Sequence, residues 1–158
     1  MKHLPKHLQP RYRYLAVGLE TWPDADVDRR AFQRETWAAA RGLLGDVGSA
    51  ELELEVFRFD YADGSGEAIV RTRRGAVDRA RAVLACIERI DGAPVGVHVR
   101  GVSGTVRGCT ERYLGRQPED VDQRHVVFEN AERRAVVRGE RADVDVDGAY
   151  AGATTLEL

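Results

Sequence analysis

Lysine is nearly missing from this chain. Of its 24 basic residues 22 are arginine, and the two lysines, Lys2 and Lys6, both lie in the first ten positions. There are only two cysteines, Cys86 and Cys109. They stand alone on two expected helices and read as small buried thiols rather than a disulfide or a metal pair. No apolar run approaches the roughly 20 residues that a membrane helix needs. The N-terminus has charges but no apolar h-region, so no signal peptide is expected and a cytoplasmic protein is the default. Asparagine occurs once, at Asn130, and aromatic residues make up 7% of the chain. No Ser-His-Asp set falls in register and no metal ligands cluster, so the residues give no support for hydrolytic or metal chemistry by the chain itself.

What is present is charge in blocks. The net charge of −2 hides a +4 segment at 1–19, −6 over 20–66, +4 over 67–114 and −4 over 115–158. Alternating blocks of this kind predict one positive face and one solvating face. The arginine bias has two explanations that composition leaves open, a GC-rich genome or adaptation to molar salt. Asp-rich runs at Pro23–Asp28 and Ala142–Asp147 fit the second. At 1 M salt the Debye length is only about 3 Å, so planar bidentate contacts from arginine outlast loose point-charge attraction.

The length suits one domain with an extension. Residues 1–10 read as a basic N-terminal arm, 11–115 as the folded domain and 116–158 as an acidic C-terminal extension. In the arm, His3 and His7 have a helical metal spacing that Pro5 interrupts. Tyr12–Glu20 alternates as a strand, with Leu15, Val17 and Leu19 on one side. Asp28–Asp46 is predicted as a helix capped by Asp28, with Phe32, Thr36, Ala39, Ala40 and Leu43 facing inward. Glu51–Asp60 is the second strand, with Glu51, Glu53 and Glu55 on its solvent face. Phe57 and Phe59 switch phase there, which indicates either a bulge or two covered faces. A glycine turn at Ala62–Gly66 leads into a third strand, Glu67–Arg74. A helix over Ala76–Asp91 and a fourth strand over Val95–Val102 follow. Ser103-Gly104-Thr105 then starts a short helix. The polar linker 117–123, two possible short strands at His125–Phe128 and Ala135–Arg138, and a weakly ordered end complete the chain.

The order β-α-β-β-α-β plus a helix predicts an α+β, ferredoxin-like or RRM-like two-layer α/β sandwich. Its four-stranded antiparallel sheet should run 4-1-3-2, with one open face. Arg71, Arg73 and Arg74 on the third strand, His98 and Arg100 on the fourth, and Arg11 and Arg13 on the first would converge at that face or its edge. The helix start at Ser103, Gly104 and Thr105, flanked by Arg100 and Arg107, would add outward N–H groups suited to an anion. The third strand lacks the aromatics of a base-stacking platform, so phosphates and structured RNA suit this face better than splayed bases.

Four stretches together carry a family resemblance: RYRYLAVGLE at 11–20, GEAIVRTRR at 66–74, ARAVLACIERIDG at 80–92 and VHVRGVSGTVRGC at 97–109. Over about residues 8–114 the chain resembles archaeal ribonuclease P protein component 2, the counterpart of the eukaryotic Pop-five subunit. The arginine-rich, lysine-poor composition is similar to members from salt-loving archaea. The resemblance implies a non-catalytic, RNA-binding subunit of the endoribonuclease that removes 5′ leaders from precursor tRNA. It implies that the ribonuclease P RNA performs the hydrolysis with Mg²⁺, and that the protein itself binds no cofactor. It implies partners in the RNA's catalytic domain and in the TIM-barrel-like protein component 3, as a two-plus-two assembly, with precursor tRNA met only indirectly and no membrane. Around Trp37, Leu44, Phe57 and Phe59 it implies an apolar patch for the protein partner. Two rival readings are a ligand-sensing or oligomerising ferredoxin-like domain without RNA, and an acylphosphatase-like enzyme. The latter needs an arginine with an asparagine, and Asn130 is the one asparagine available.

Overall fold

A computed structural model describes residues 4–115 and 121–158. Strand β1, Tyr12–Thr21, is the centre of a five-stranded sheet. Helix α1 (Arg29–Leu52), strands β2 (Glu55–Ala62) and β3 (Ser65–Arg73), and helix α2 (Val77–Ala85) follow in order. A two-residue strand β4 (Arg89–Ile90), strand β5 (Ala93–Ser103) and helix α3 (Val106–Tyr113) complete this part. The strand order β2-β3-β1-β5-β4 is the expected 4-1-3-2 arrangement with one extra edge strand. Leu15, Val17 and Leu19 of β1, Val70 of β3 and Val95 of β5 meet Phe32 and Ala40 of α1 and Ala80, Val83 and Leu84 of α2 in one buried cluster. Alternation on β1 thus points one row of side chains at the helices, and burial of that row drives the layer together.

Several boundaries differ from those the sequence predicts. α1 runs to Leu52 and kinks at Gly45, whose φ of 73° breaks the helical path. Just before the kink Leu43 is 47% exposed, and Leu44 packs on the core instead. The solvent face expected of Glu51, Glu53 and Glu55 therefore does not exist. Glu51 is helical, Glu53 is the left-handed cap with φ 48°, and only Glu55 is in a strand. A bulge is present: the β2–β3 register shifts between Val56 and Arg58 and turns Phe57 outward. α2 stops at Ala85, leaving Cys86 exposed rather than buried, and Ile87 and Ile90 fill the core below it.

The sheet's second face is not open. α3 lies across it, with Cys109, Ala16 and Ile69 buried together and Tyr14, Tyr113 and Leu114 around them. Cys109 donates its thiol to the Tyr14 carbonyl at 3.0 Å, and burial pushes the thiol pKa up. The fit depends on Gly101, because a Cβ there would fall 2.3 Å from the Tyr113 ring.

Residues 121–154 form a second antiparallel sheet, which contains the two short strands expected at His125–Phe128 and Ala135–Arg138 and extends into the end expected to be weakly ordered. Its strands β6 (Val121–Phe128), β7 (Ala131–Arg138), β8 (Arg141–Val146) and β9 (Ala149–Thr154) pair in sequence order. Of the predicted linker 117–123, residues up to 120 fall outside the described residues and Val121–Gln123 belong to β6. The sheet docks on the end of the first one. Arg138, 4% exposed, donates from Nη2 to the Thr21 carbonyl at 2.6 Å and from Nη1 to Asp143 at 2.9 Å, with Glu20 at 3.7 Å. Beside it Trp22 meets Tyr150 edge-on at 4.9 Å, and Arg134 lies over the Trp22 ring at 4.4 Å.

Arg138→Ala should lower unfolding stability by about 1–3 kcal/mol, because it leaves the carbonyl of buried Thr21 without this donor and the partly buried Asp143 carboxylate without this partner. Urea unfolding of the full chain measures this, and an unchanged midpoint would show that Arg138 is not the anchor. Gly101→Ala should cost about 1–3 kcal/mol through displacement of Tyr113. Its check is amide exchange in α3, which should accelerate ahead of the core.

Candidate nucleic-acid interface

The start of β1 and the ends of β3 and β5 meet at one end of the sheet. There the Arg74 amide donates to the Arg11 carbonyl at 2.9 Å, bringing the two residues side by side. Tyr14 is paired with Ser103 across β1 and β5. Arg13 reaches the adjoining turn, since a Cβ placed on Gly104 would lie 3.7 Å from its Nη1. Thr105 is the cap of α3 and accepts from the Gly108 amide at 2.9 Å. Ser103 Oγ accepts from the Thr105 amide at 3.4 Å. Arg11, Arg13 and Arg74 have no carboxylate partner among the described residues. This end of the sheet thus gathers three unneutralised guanidinium groups and a helix start, and so can hold a polyanion.

The other nominated residues are placed differently. Arg71, Arg73 and Arg100 do share the sheet face, but each is paired with its own glutamate. Arg71 meets Glu55 at 3.0 Å, Arg73 meets Glu53 at 2.5 Å and Arg100 meets Glu67 at 3.3 Å. Arg71 is also stacked between rings, 4.1 Å from the Tyr12 centroid and 5.2 Å from that of Phe57. Arg100 sits at a register shift of β5 and reaches the Tyr113 carbonyl at 3.4 Å, which holds α3 rather than flanking the turn. The expectation of a bare arginine face is corrected: carboxylates from β2, β3 and the α1 cap neutralise it. His98 lies opposite Gly18 toward the second sheet, away from the Arg11 end. Crowding by surrounding atoms holds its pKa below the ordinary 6.5 against the pull of Glu20, and Arg100 and Arg141 depress it further. Arg107 points to solvent and pairs with Glu111 at 2.8 Å.

Of the two histidines considered for metal, His3 is outside the described residues and His7 lies in a 3-10 turn over Lys6–Leu8. Asn130 occupies the β6–β7 turn with φ 62°, a conformational role. Among the described residues no three His, Cys, Asp or Glu side chains lie together in a metal-binding group. No helix among them is long and apolar enough to cross a membrane. Sequence reasoning missed two features. Arg138 gave no signal, since nothing local marks an arginine as buried. Arg30 and Arg34 did give one, recurring at helical spacing on one face of α1 with Trp37, a residue nominated only for an apolar patch.

The geometry defines an α+β protein of ferredoxin-like topology whose basic charge is concentrated at one end of its sheet. A family model described as the Rpp14/Pop5 family matches residues 13–114, and the chain belongs to that family. It is 59% identical over 158 residues to ribonuclease P protein component 2 of Natronomonas pharaonis, covering 100% of this chain and 98% of that one. To the protein of the same name from Haloarcula marismortui it is 60% identical over 160 residues, covering 100% and 99%. To that from Methanosarcina mazei it is 35% identical over 114 residues, covering 72% of this chain and 93% of the relative. A chain in a cryo-EM structure of yeast ribonuclease MRP shares the fold, with a TM-score of 0.50 and 15% identity over 63% of this chain and 79% of that chain. The family model ends at Leu114, before β6, whereas the Natronomonas and Haloarcula relatives match the whole chain.

Pairing with Arg73 has a measurable consequence. The hydrogen bond from Arg73 holds the Glu53 carboxyl below its ordinary 4.5, against a smaller opposing effect of burial. A depressed folded pKa contributes stability that is present above the ordinary value and is lost as pH falls through the lowered one. Arg73→Ala should return the Glu53 titration upward toward 4.5 in carboxyl NMR. A midpoint that does not move would contradict the pair.

Proposed function

We propose that this chain is an RNA-binding protein subunit of ribonuclease P that assists removal of 5′ leaders from precursor tRNA in the cytoplasm. The observation that carries this reading is the full-length match, at 59% and 60% identity, to relatives named ribonuclease P protein component 2. The sheet end supplies the physical means. Arg11, Arg13 and Arg74 neutralise phosphates of the RNA's catalytic domain, and the Ser103-Gly104-Thr105 turn seats one of them against N–H groups. Hydrolysis belongs to the RNA and its Mg²⁺; the protein lowers phosphate repulsion so that the RNA's metal sites form at lower Mg²⁺ concentration. Protein component 3 is the partner in a two-plus-two assembly, and precursor tRNA is met through the RNA.

The test is the salt dependence of RNA binding by the full chain. Each phosphate contact contributes a slope of about 0.7–0.9 in log affinity against log salt. The triple variant Arg11→Ala, Arg13→Ala, Arg74→Ala should lower the slope by about 2 and raise the Mg²⁺ requirement of a reconstituted particle. Its folding should persist, because exposed arginines contribute little to stability. By contrast, Glu53→Ala with Arg73→Ala removes a neutral pair and should leave the slope unchanged. A triple variant with the wild-type slope, or a pair deletion that lowers it, would show that the phosphates sit elsewhere.

A further inference from the structure

α1 carries a second group of cations, on the layer opposite α3. Arg29, Arg30, Gln33, Arg34 and Trp37, with Glu55 from β2, line a groove of about 680 Å³. Its walls are fixed from behind. Trp37 Nε1 donates to the Leu54 carbonyl at 2.8 Å, so the indole is pinned while 46% of the residue stays exposed. Arg29 Nε donates to the Val56 carbonyl at 3.1 Å. Gln33 Oε1 accepts from the Val56 amide at 2.7 Å, which orients the other end of that amide group. Its Nε2 is shielded from solvent, so Gln33 braces the groove from behind rather than contacting a ligand.

The groove is net positive. Glu55 is taken by Arg71, and Arg34 is held only by an exposed pair with Asp91 at 2.7 Å. Arg30 has no carboxylate partner among the described residues. An acidic peptide would use the arginines but not the indole. An apolar helix would bury guanidinium groups without partners. A nucleotide satisfies both features, since its phosphate suits the arginines and its base the aromatic ring.

We propose that this groove takes one unpaired nucleotide, with phosphate on Arg30 and Arg34 and base against Trp37. The inference rests on the RNA-binding reading above but names a contact separate from the sheet end.

Oligouridylate is the probe, followed by the tryptophan fluorescence of the full chain. Trp22 is 7% exposed and packed on Tyr150, so quenching should come from Trp37. Quenching should vanish in Trp37→Phe and persist in Trp22→Phe and in the Arg11, Arg13, Arg74 triple variant. Trp37→Ala should weaken binding roughly 5–150-fold, the range of one stacked base. Arg30→Glu, at an exposed position that leaves the Trp37 anchor intact, should weaken it by about tenfold or more. Quenching that survives Trp37→Phe would overturn the proposal. So would oligoaspartate quenching as well as oligouridylate. If anisotropy shows RNA binding with Trp37 unquenched, this site falls and the subunit reading stands. If ribonuclease P RNA does not bind at all, both fall.

Discussion

Charge pairing across the first sheet decides what this surface can do. Three arginines on the strands face three glutamates within 3.3 Å, and each pair removes one cation from the field a polyanion would feel. Of these, the half-exposed Arg73–Glu53 pair contributes little to stability, while Arg100–Glu67 is largely shielded from solvent. The shared effect of all three is on the distribution of potential. By neutralising the middle of the face they leave the net positive charge at its end, where Arg11 and Arg74 are joined through the backbone and Arg13 leans on the turn at Gly104.

The two layers above the sheet follow from the same economy of surface. Leu15, Val17 and Leu19 feed the large core under α1 and α2, while Ala16 on the opposite face is small enough for α3 to approach. α3 takes the half of that face nearest the basic end. The second sheet takes the far end, through a buried arginine that satisfies the carbonyl of Thr21 and the carboxylates of Asp143 and Glu20. An acidic appendage at the far end and a basic one at the near end give the molecule a polarity that its net charge of −2 conceals.

The topology was legible because β1, β3 and β5 alternate cleanly and glycine turns separate them. The bulge at Phe57 was legible from a phase change in the apolar residues. Charge pairing was not, because it depends on register: Glu55 meets Arg71 only in the observed alignment, and Glu53 reaches Arg73 from a left-handed helix cap. The sheet at 121–154 was underestimated because polar residues of several types occupy most of its outward positions, which hides the alternation of its short strands. Its turns did carry a signal. Asp147 and Gly148 both have positive φ, the two-residue hairpin that an Asp-Gly pair favours. The matching turn at Asp63-Gly64 was recognised because valine, isoleucine and phenylalanine flank it.

The central claim is that RNA meets the end of the sheet and not its neutralised middle or the second sheet. Crosslinking of the reconstituted particle, with peptides mapped by mass spectrometry, addresses it most directly. The account predicts RNA adducts on the segment Arg11–Tyr14, at Arg74 and on Ser103–Thr105. Adducts confined to the β2–β3 hairpin and to β6–β9, with none on those three segments, would contradict it.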